Sequence, residues 1–315
     1  MGGCVRTPDY SRLIDAEMWA FIERLDSTYP AGAVDLTIAE QRDVYDGMCK
    51  VFYQGRPKGV QVHDEPNGGV PCRRYETSGS DVTVIYYHGG GFVVGGLDSH
   101  DDVCAEICQR TGYRVISVDY GLAPEVIFPG CFDDAWRAFA AIATAHDGDL
   151  MLTGDSAGGN LAAAVAHHAR GTHDGRIVGQ VLIYPGLGGD WGQGSYVEHA
   201  NAPHLSTADM EFYMNMRTGG SGPPKGDPRY APLQDTNFAG VPHSVMITAE
   251  CDPLASDGQS YRDALRAAGG QAEWINVAGM VHGCLRARVM SQKAAGFFDQ
   301  VVGAIDALGR REWPY

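Results

Sequence analysis

The sequence lacks any long apolar run, and its first residues lack a basic stretch followed by an apolar segment. A membrane-spanning helix needs ~20 consecutive apolar residues, so we expect no stable membrane insertion. Without the basic and apolar segments we also expect no secretory signal. Arg6 stands where a myristoylation signal would need serine or threonine. These absences together predict a cytoplasmic protein.

Positive charge is also scarce. The 315 residues contain 24 Lys and Arg against 39 Asp and Glu, which gives a formal net charge of −15. Such a balance argues against nucleic acid and anionic membranes as partners. The hydrophobic content of 44% is ordinary for a globular protein. The length suits one large α/β domain or two small ones.

The chain has few residues in patterns that bind metals. Its eight cysteines are scattered, so we expect free and mostly buried thiols. Cys104 and Cys108 lie one helical turn apart, but no second ligand pair follows at zinc-site spacing. We interpret His167, His168 and His173 as solvated residues at a helix end. We therefore expect no metal site.

What the sequence does contain, from Val82 onward, is an alternation of buried strands and helices. The run Val82–Tyr87 is continuously apolar and β-branched, as expected for a strand that is buried on both faces. Further strands are predicted over 114–120, 150–154, 177–184, 244–249 and 272–277. Helices are predicted over 101–111, 132–145, 258–268 and 289–308, and another begins at Leu161. The pattern predicts an α/β fold with a mostly parallel central sheet and helices on both faces.

Two segments lie outside this alternation. Residues 8–52 show helical periodicity, with a stop at Pro30-Ala31-Gly32 and a capping box that begins at Thr37. A hairpin of 59–63 and 70–75 around Pro66-Asn67-Gly68-Gly69 follows. The stretch 186–242 is too long for a structureless loop, so we interpret it as an inserted cap. The predicted division is therefore cap helices 1–55, core 56–185, cap insertion 186–242 and core 243–315.

The sequence Gly154-Asp155-Ser156-Ala157-Gly158 joins a predicted strand to a strong helix former. This strand–turn–helix context is the one in which a Gly-x-Ser-x-Gly motif exposes a nucleophilic serine. The Ala157 amide would point into the same space from the helix N-terminus. A glycine-rich turn with an incidental serine is the alternative for this motif on its own.

The sequence His88-Gly89-Gly90-Gly91-Phe92 follows the strand Val82–Tyr87 directly. Its glycines would let bare backbone amides approach a substrate carbonyl and, with the Ala157 amide, form an oxyanion hole. A phosphate-binding loop is the alternative, but no lysine, serine or threonine follows at P-loop spacing.

Asp252 and His282 each follow a predicted strand, so both should lie on the same rim as Ser156. The order Ser, Asp, His is that of α/β-hydrolases. His282 would take the proton of Ser156, and Asp252 would orient the imidazole. Asp257 is the second candidate for the acid, and His243 and His100 are lesser candidates for the base.

These segments together resemble the hormone-sensitive-lipase-like esterases of the α/β-hydrolase fold. The matching motifs span residues 82–283 and are His88–Phe92, Tyr120–Glu125 with Phe128-Pro129, Gly154–Asn160, Asp252–Leu254 and His282-Gly283.

The resemblance implies hydrolysis of short-chain carboxylic esters through an acyl-enzyme, without metal or cofactor. It assigns the catalytic roles to Ser156, Asp252 and His282, and the oxyanion hole to Gly90, Gly91 and Ala157. His88, Gly89, Asp155 and Glu125 belong to the supporting motifs. For a cap over an apolar pocket we expect walls from Phe92, Tyr184, Phe212 and Tyr213.

Several alternatives stay open at this point. The same nucleophile could act on lactones, carbamates or amides, because fold and triad serve many acyl transfers. A non-catalytic small-molecule receptor on this fold is a further alternative, although such proteins typically lose a triad residue. The oligomeric state is open, with a homodimer as one option.

Three positions depart from the family pattern. Gly121 replaces an arginine, which would remove an ion pair with Glu125. Ser256 replaces a frequent acidic residue, and Cys284 replaces a phenylalanine whose loss would loosen the packing around His282.

Overall fold

The structure is a computed structural model that describes residues 8–30, 36–173 and 175–315. The expectations for Arg6 and for the helix stop at Ala31-Gly32 lie outside these residues, as does Cys4. The seven remaining cysteines are all unpaired and buried. Within the described ranges, no helix is long and apolar enough to span a bilayer, and no cluster of three or more metal-ligating side chains occurs.

The core is one eight-stranded sheet in the order β1-β2-β4-β3-β5-β6-β7-β8. Its strands are β1 (Gln61–Asn67), β2 (Val70–Glu76), β3 (Val82–Tyr87), β4 (Arg114–Val118), β5 (Asp149–Asp155), β6 (Ile177–Ile183), β7 (Ser244–Cys251) and β8 (Ala272–Val281). β2 pairs antiparallel with both of its neighbours, and the pairs from β4 to β8 are parallel. The mostly parallel α/β sheet is therefore confirmed.

Ten α-helices accompany the sheet in the described residues. They are α1 (Tyr10–Leu13), α2 (Ala16–Asp26), α3 (Ile38–Phe52), α4 (Asp101–Thr111), α5 (Gly130–Ala145), α6 (Ala157–His168), α7 (Ser195–Glu198), α8 (Thr207–Thr218), α9 (Ala255–Ala267) and α10 (Gln292–Gly309). The capping box is present at the start of α3, where Thr37 and Glu40 exchange hydrogen bonds. Helices α7 and α8 lie in the long segment between β6 and β7.

The sheet buries apolar side chains on both faces. Along β3, Val84 and Tyr86 belong to one core cluster, with residues of α4 and α10, while Ile85 and Tyr87 belong to a second, with α5 and α6. Successive side chains of a strand point to opposite faces, so both clusters grow from the same strand. This two-sided burial explains why the strands read as continuous apolar runs.

Several element boundaries differ from the predicted ones, and each difference has a local cause. β1 continues through Pro66 because an edge strand tolerates proline, so the hairpin turn narrows to Gly68 and Gly69. β8 continues past Gly279 to Val281. Glycine interrupts the sequence pattern of a strand, so the predicted strand ended earlier, although Gly279 lies within β8 with a φ of 74°. Helix α10 begins later than predicted because Ser291 caps it.

One interpretation of the histidines is wrong. His167 is buried, not solvated, and its ring bonds to Asp235 and to the Tyr261 hydroxyl. The helical position was right, but packing against Asp235, which lies 68 residues away, is not visible in a local pattern.

Candidate active site

Ser156 joins β5 to α6 in a conformation that few non-glycine residues adopt, with φ 54° and ψ −117°. A Cβ on Gly158 would lie 1.9 Å from the Tyr87 carbonyl oxygen, and one on Gly154 would lie 2.5 Å from it. Only glycine fits at either position, which accounts for the Gly-x-Ser-x-Gly spacing. The sharp turn presents the Ser156 side chain at the carboxyl end of the sheet.

The imidazole of His282 lies between the Ser156 hydroxyl and the Asp252 carboxylate. Its Nε2 is 2.8 Å from Ser156 Oγ, and its Nδ1 is 2.7 Å from Asp252 Oδ2. The other Asp252 oxygen accepts a hydrogen bond from the Leu254 amide at 2.9 Å, and the residue is fully buried. A carboxylate in this position keeps the proton on Nδ1, so Nε2 is free to accept the serine proton.

Three backbone amides border the same space. Gly90, Gly91 and Ala157 line one cavity with Ser156. Within the described residues, none of these amides donates to a protein acceptor. Gly90 has φ 121°, and a Cβ there would lie 2.1 Å from the Val94 carbonyl oxygen, so the bend requires glycine. Free amides beside a nucleophile are suited to stabilise an oxyanion.

The Asp155 carboxylate joins the serine turn to the glycine loop. It accepts hydrogen bonds from the Tyr86 hydroxyl at 2.8 Å and the Gly89 amide at 2.9 Å, and it contacts the His100 ring at 3.3 Å. Burial alone would raise the pKa of Asp155, but His100, Tyr86 and the nearby Arg286 guanidinium lower it below its ordinary value. The carboxylate therefore stays ionised and fixes the glycine loop.

His88 supports the glycine loop from beneath. Its ring stacks on Tyr120 with centroids 4.4 Å apart, and its Nδ1 is 2.7 Å from the Gly89 carbonyl oxygen. Burial lowers the pKa of His88 to about 4. The ring is therefore neutral near pH 7 and acts as a packed wall, not as a base.

The lesser candidates for acid and base lie elsewhere. Asp257 accepts hydrogen bonds from the amides of Leu187 and Gly188 and from the Tyr196 hydroxyl, so it anchors the segment after β6. Burial raises the pKa of Asp257 to about 6. His100 bonds to Asp155, and His243 packs against Trp313.

The structure shows the contacts that are made around the three positions that depart from the family pattern. Gly121 supplies no cation to Glu125, but Glu125 forms an ion pair with Arg42 of α3 instead. Ser256 exchanges two hydrogen bonds of 2.8 Å with Ser195, which ties α7 to α9. Cys284 is fully buried.

A cavity of about 640 Å³ opens onto Ser156 and His282. Phe92, Tyr184 and Tyr213 line it, and residues of α2, α3 and the 186–242 segment contribute walls. Phe212 does not line it. That side chain is 38% exposed, because its position on α8 turns it outward while the neighbouring Tyr213 faces the cavity. The expectation for Phe212 is therefore wrong.

Several polar cavity residues escaped the sequence interpretation, among them Arg217, Arg286 and His204. Arg286 donates to the Ser99 carbonyl and the Tyr45 hydroxyl. His204 has a φ of 78° and stacks on Phe21, and its buried Nε2 has no hydrogen-bond partner in the described ranges. None belongs to a recognisable motif, so only the tertiary structure reveals them.

The sequence of this chain is similar to a family model and to several known proteins. A family model described as an α/β hydrolase fold matches residues 84–286. Carboxylic ester hydrolase LipN from Mycobacterium tuberculosis is 32% identical over 296 residues, which cover 87% of this chain and 77% of that protein. An ethyl acetate hydrolase from Pseudomonas putida is 33% identical over 251 residues, covering 75% of this chain and 78% of that protein.

Solved structures agree with the sequence relatives. An esterase from Pyrobaculum calidifontis superposes with a TM-score of 0.82 at 28% identity, covering 94% of this chain and 99% of that one. The thermophilic carboxylesterase EstE1, cloned from a metagenomic library, superposes with a TM-score of 0.78 at 29% identity, covering 89% and 99%.

Proposed function

The chain belongs to the α/β-hydrolase-fold family of hormone-sensitive-lipase-like esterases and is a carboxylic ester hydrolase, and we propose that it cleaves short-chain acyl esters with Ser156 as nucleophile, His282 as general base and Asp252 as the residue that orients His282. The observation that carries this assignment is the hydrogen-bond chain from Ser156 through His282 to Asp252, with distances of 2.8 and 2.7 Å.

The proposed reaction has two halves. Ser156 Oγ attacks the ester carbonyl carbon while its proton passes to His282 Nε2, and the carbonyl oxygen becomes an oxyanion. The amides of Gly90, Gly91 and Ala157 donate to that oxyanion. When the intermediate collapses, the carbon–oxygen bond of the ester breaks and His282 gives the proton to the departing alcohol. Water then attacks the acyl-enzyme in the same way and releases the acid.

The proposed preference for short acyl chains is supported by the resemblance to short-chain esterases and by a relative that is named as an ethyl acetate hydrolase. The acyl and alcohol parts of the substrate would share the cavity of about 640 Å³. Tyr213 presses on the glycine loop, because a Cβ on Gly91 would lie only 2.3 Å from its ring. In this reading, the segments 1–55 and 186–242 form the cap that closes the pocket over the core segments 56–185 and 243–315.

Hydrolysis of p-nitrophenyl esters by matched variants tests the proposed roles. Ser156→Ala should lower kcat by ~10⁴-fold or more, and Asp252→Asn by ~10⁴-fold. Ser27→Ala, an exposed serine at the end of α2, serves as a control for the loss of a hydroxyl. Retention of full activity by Ser156→Ala would overturn the assignment.

A series of p-nitrophenyl esters from acetate to laurate tests the chain-length proposal. We expect kcat/KM to be highest between acetate and hexanoate, the range that the resemblance to short-chain esterases implies. A matched set of amide, lactone and carbamate substrates tests the alternative acyl transfers, which should be slower. Higher activity on long-chain emulsions would contradict the proposal.

We also propose a cytoplasmic location. The free thiols of the seven described cysteines support it, because reducing compartments keep thiols unpaired. Fractionation of cells that produce the protein tests this. Recovery of the activity outside the cytoplasm would contradict it.

A further inference from the structure

Arg217, in the last turn of α8, is a buried cation in the wall of the substrate cavity. The residue is only 4% exposed. Its guanidinium carbon lies 3.7 Å from the centre of the Phe92 ring and 4.1 Å from that of Tyr230. Two aromatic faces therefore shield the charge from water.

The guanidinium uses only part of its hydrogen-bonding capacity. One terminal nitrogen donates to the Tyr230 carbonyl and the other to Asn160 Oδ1, both at 3.1 Å. Nε is buried and has no hydrogen-bond partner among the residues that the structure describes. Arginine carries five N–H donors, so each terminal nitrogen retains one N–H and Nε retains its own.

No carboxylate in the described part of the chain pairs with Arg217. Asp227, which acts on it only at longer range, is held by Arg229 through two hydrogen bonds of 3.0 and 2.8 Å. Arg288 provides the contrast. That residue is also buried, at 7% exposed, but it contacts Asp102 at 2.6 Å and Glu106 at 2.9 Å.

A buried cation without a counter-ion is unfavourable. Stacking on two aromatic rings compensates part of this cost. Stacking does not neutralise the positive charge of the guanidinium. In this apolar wall, the guanidinium would attract an anion more strongly than it would in water. A ligand carboxylate would supply the counter-ion that the described residues do not.

We propose that Arg217 binds a carboxylate of the substrate, so that the enzyme prefers esters that carry a carboxylate a few bonds from the scissile carbonyl. The position of Arg217 fits this role. Phe92, on which it stacks, directly follows Gly91 of the proposed oxyanion hole, and Asn160 lies one turn after Ser156 on α6. The inference rests on the proposed esterase function and names its substrate class.

The carboxylate could belong to either half of the ester, so the experiment has two arms. For the acyl half, monomethyl glutarate is compared with methyl 5-methylhexanoate, in which an isopropyl group replaces the carboxylate. For the alcohol half, 4-acetoxybutanoate is compared with 4-methylpentyl acetate. Acid release is followed by pH-stat with wild type, Arg217→Lys and Arg217→Met, since methionine keeps the apolar packing and removes every donor.

We expect the wild type to favour the charged ester over its neutral counterpart by about tenfold in kcat/KM in one arm, as for a charge-assisted hydrogen-bonded pair. Arg217→Met should lower that ratio by about tenfold, and Arg217→Lys should retain part of it. A wild-type ratio of one or less in both arms would overturn the proposal. An equal loss on both members of each pair in Arg217→Met would do the same, because it would make Arg217 a structural clamp.

Competition on the wild-type protein keeps the proposal testable if the variants do not fold. For the acyl half, glutarate should inhibit hydrolysis of methyl 5-methylhexanoate at least severalfold more than 5-methylhexanoate does. For the alcohol half, 4-hydroxybutanoate should inhibit hydrolysis of 4-methylpentyl acetate at least severalfold more than 4-methylpentan-1-ol does. We expect the difference in one of the two pairs, and equal inhibition within both pairs would overturn the carboxylate site. Hydrolysis of p-nitrophenyl butyrate by wild type and Ser156→Ala reports on the esterase assignment separately, so failure of either proposal is recognisable.

Discussion

Replacement of Arg42 by methionine should damage catalysis, although Arg42 lies in helix α3, far along the chain from the proposed catalytic residues. Its Nε donates to the Val93 carbonyl at 2.8 Å, and a terminal nitrogen donates to the Ala123 carbonyl at 2.9 Å. The amides of Val93 and Val94 both donate to the Gly90 carbonyl at 3.0 Å. Arg42 therefore holds the turn that sets the direction of the proposed oxyanion amides.

The magnitudes decide which contacts of Arg42 matter. Its ion pair with Glu125 contributes about 0–1 kcal/mol, since the Glu125 side chain is 62% exposed. Each charge-assisted bond to a backbone carbonyl contributes about 1.5–3 kcal/mol. Loss of a whole oxyanion donor costs ~10²–10³ in rate, so a displaced loop should cost about 10- to 100-fold in kcat. KM should change less, because the cavity walls remain.

Glu125→Gln is the matched control, because it removes the ion pair and leaves both carbonyl contacts of Arg42 in place. The assay is kcat and KM on p-nitrophenyl butyrate, with urea unfolding to measure stability. We expect Arg42→Lys to recover part of the kcat that Arg42→Met loses. If Arg42→Met lowers stability but leaves kcat equal to that of Glu125→Gln, the positioning role is refuted.

Two further predictions follow from local geometry and titration. Gly91→Ala should lower kcat by about 100-fold, because its Cβ would lie 2.3 Å from the Tyr213 ring of α8. Gly59→Ala is the control, since Gly59 also has a positive φ but has open space among the described residues, and it should leave kcat near the wild-type value. The free energy of unfolding, measured in urea, should fall between pH 7 and pH 5. Burial lowers the pKa of both His88 and His167 to about 4, so in this range the unfolded chain binds protons on these imidazoles and the folded chain does not. Each ring should contribute about 2 kcal/mol to this fall, and Asp257, whose pKa burial raises to about 6, should offset about 1 kcal/mol of it. Higher stability at pH 5 than at pH 7 would contradict this reasoning.

The parts of the molecule that sequence could predict are those written in local patterns. The parallel strands were recognisable because burial on both faces makes each a continuous apolar run, as in Val82–Tyr87. The proposed nucleophile and oxyanion loop could be located because close backbone contacts in these turns leave no room for a Cβ atom, so the positions require glycine. A Cβ on Gly158, for example, would lie 1.9 Å from a neighbouring carbonyl oxygen.

The parts that sequence could not predict depend on contacts between distant segments. Arg42 meets Ala123 and Glu125 across more than 80 residues. Nothing near Gly121 indicated that Arg42 of α3 would supply the guanidinium that pairs with Glu125. Similarly, Phe212 and Tyr213 are indistinguishable as aromatic neighbours in sequence, and only the rotation of α8 decides which one faces the cavity.

The distant contacts around the proposed active site share one feature, which is that each joins a segment of the proposed cap to a proposed catalytic loop or helix. Arg42 holds the turn after Gly90, Tyr213 presses against Gly91, and Asn160 of the serine helix donates to the Tyr230 carbonyl and accepts from Arg217. A segment that only covered the pocket would need none of them. We therefore expect the two proposed cap segments to shape the catalytic geometry as well as the pocket, so replacing either one with that of a relative should change kcat on a small acetate ester as well as the choice of substrate.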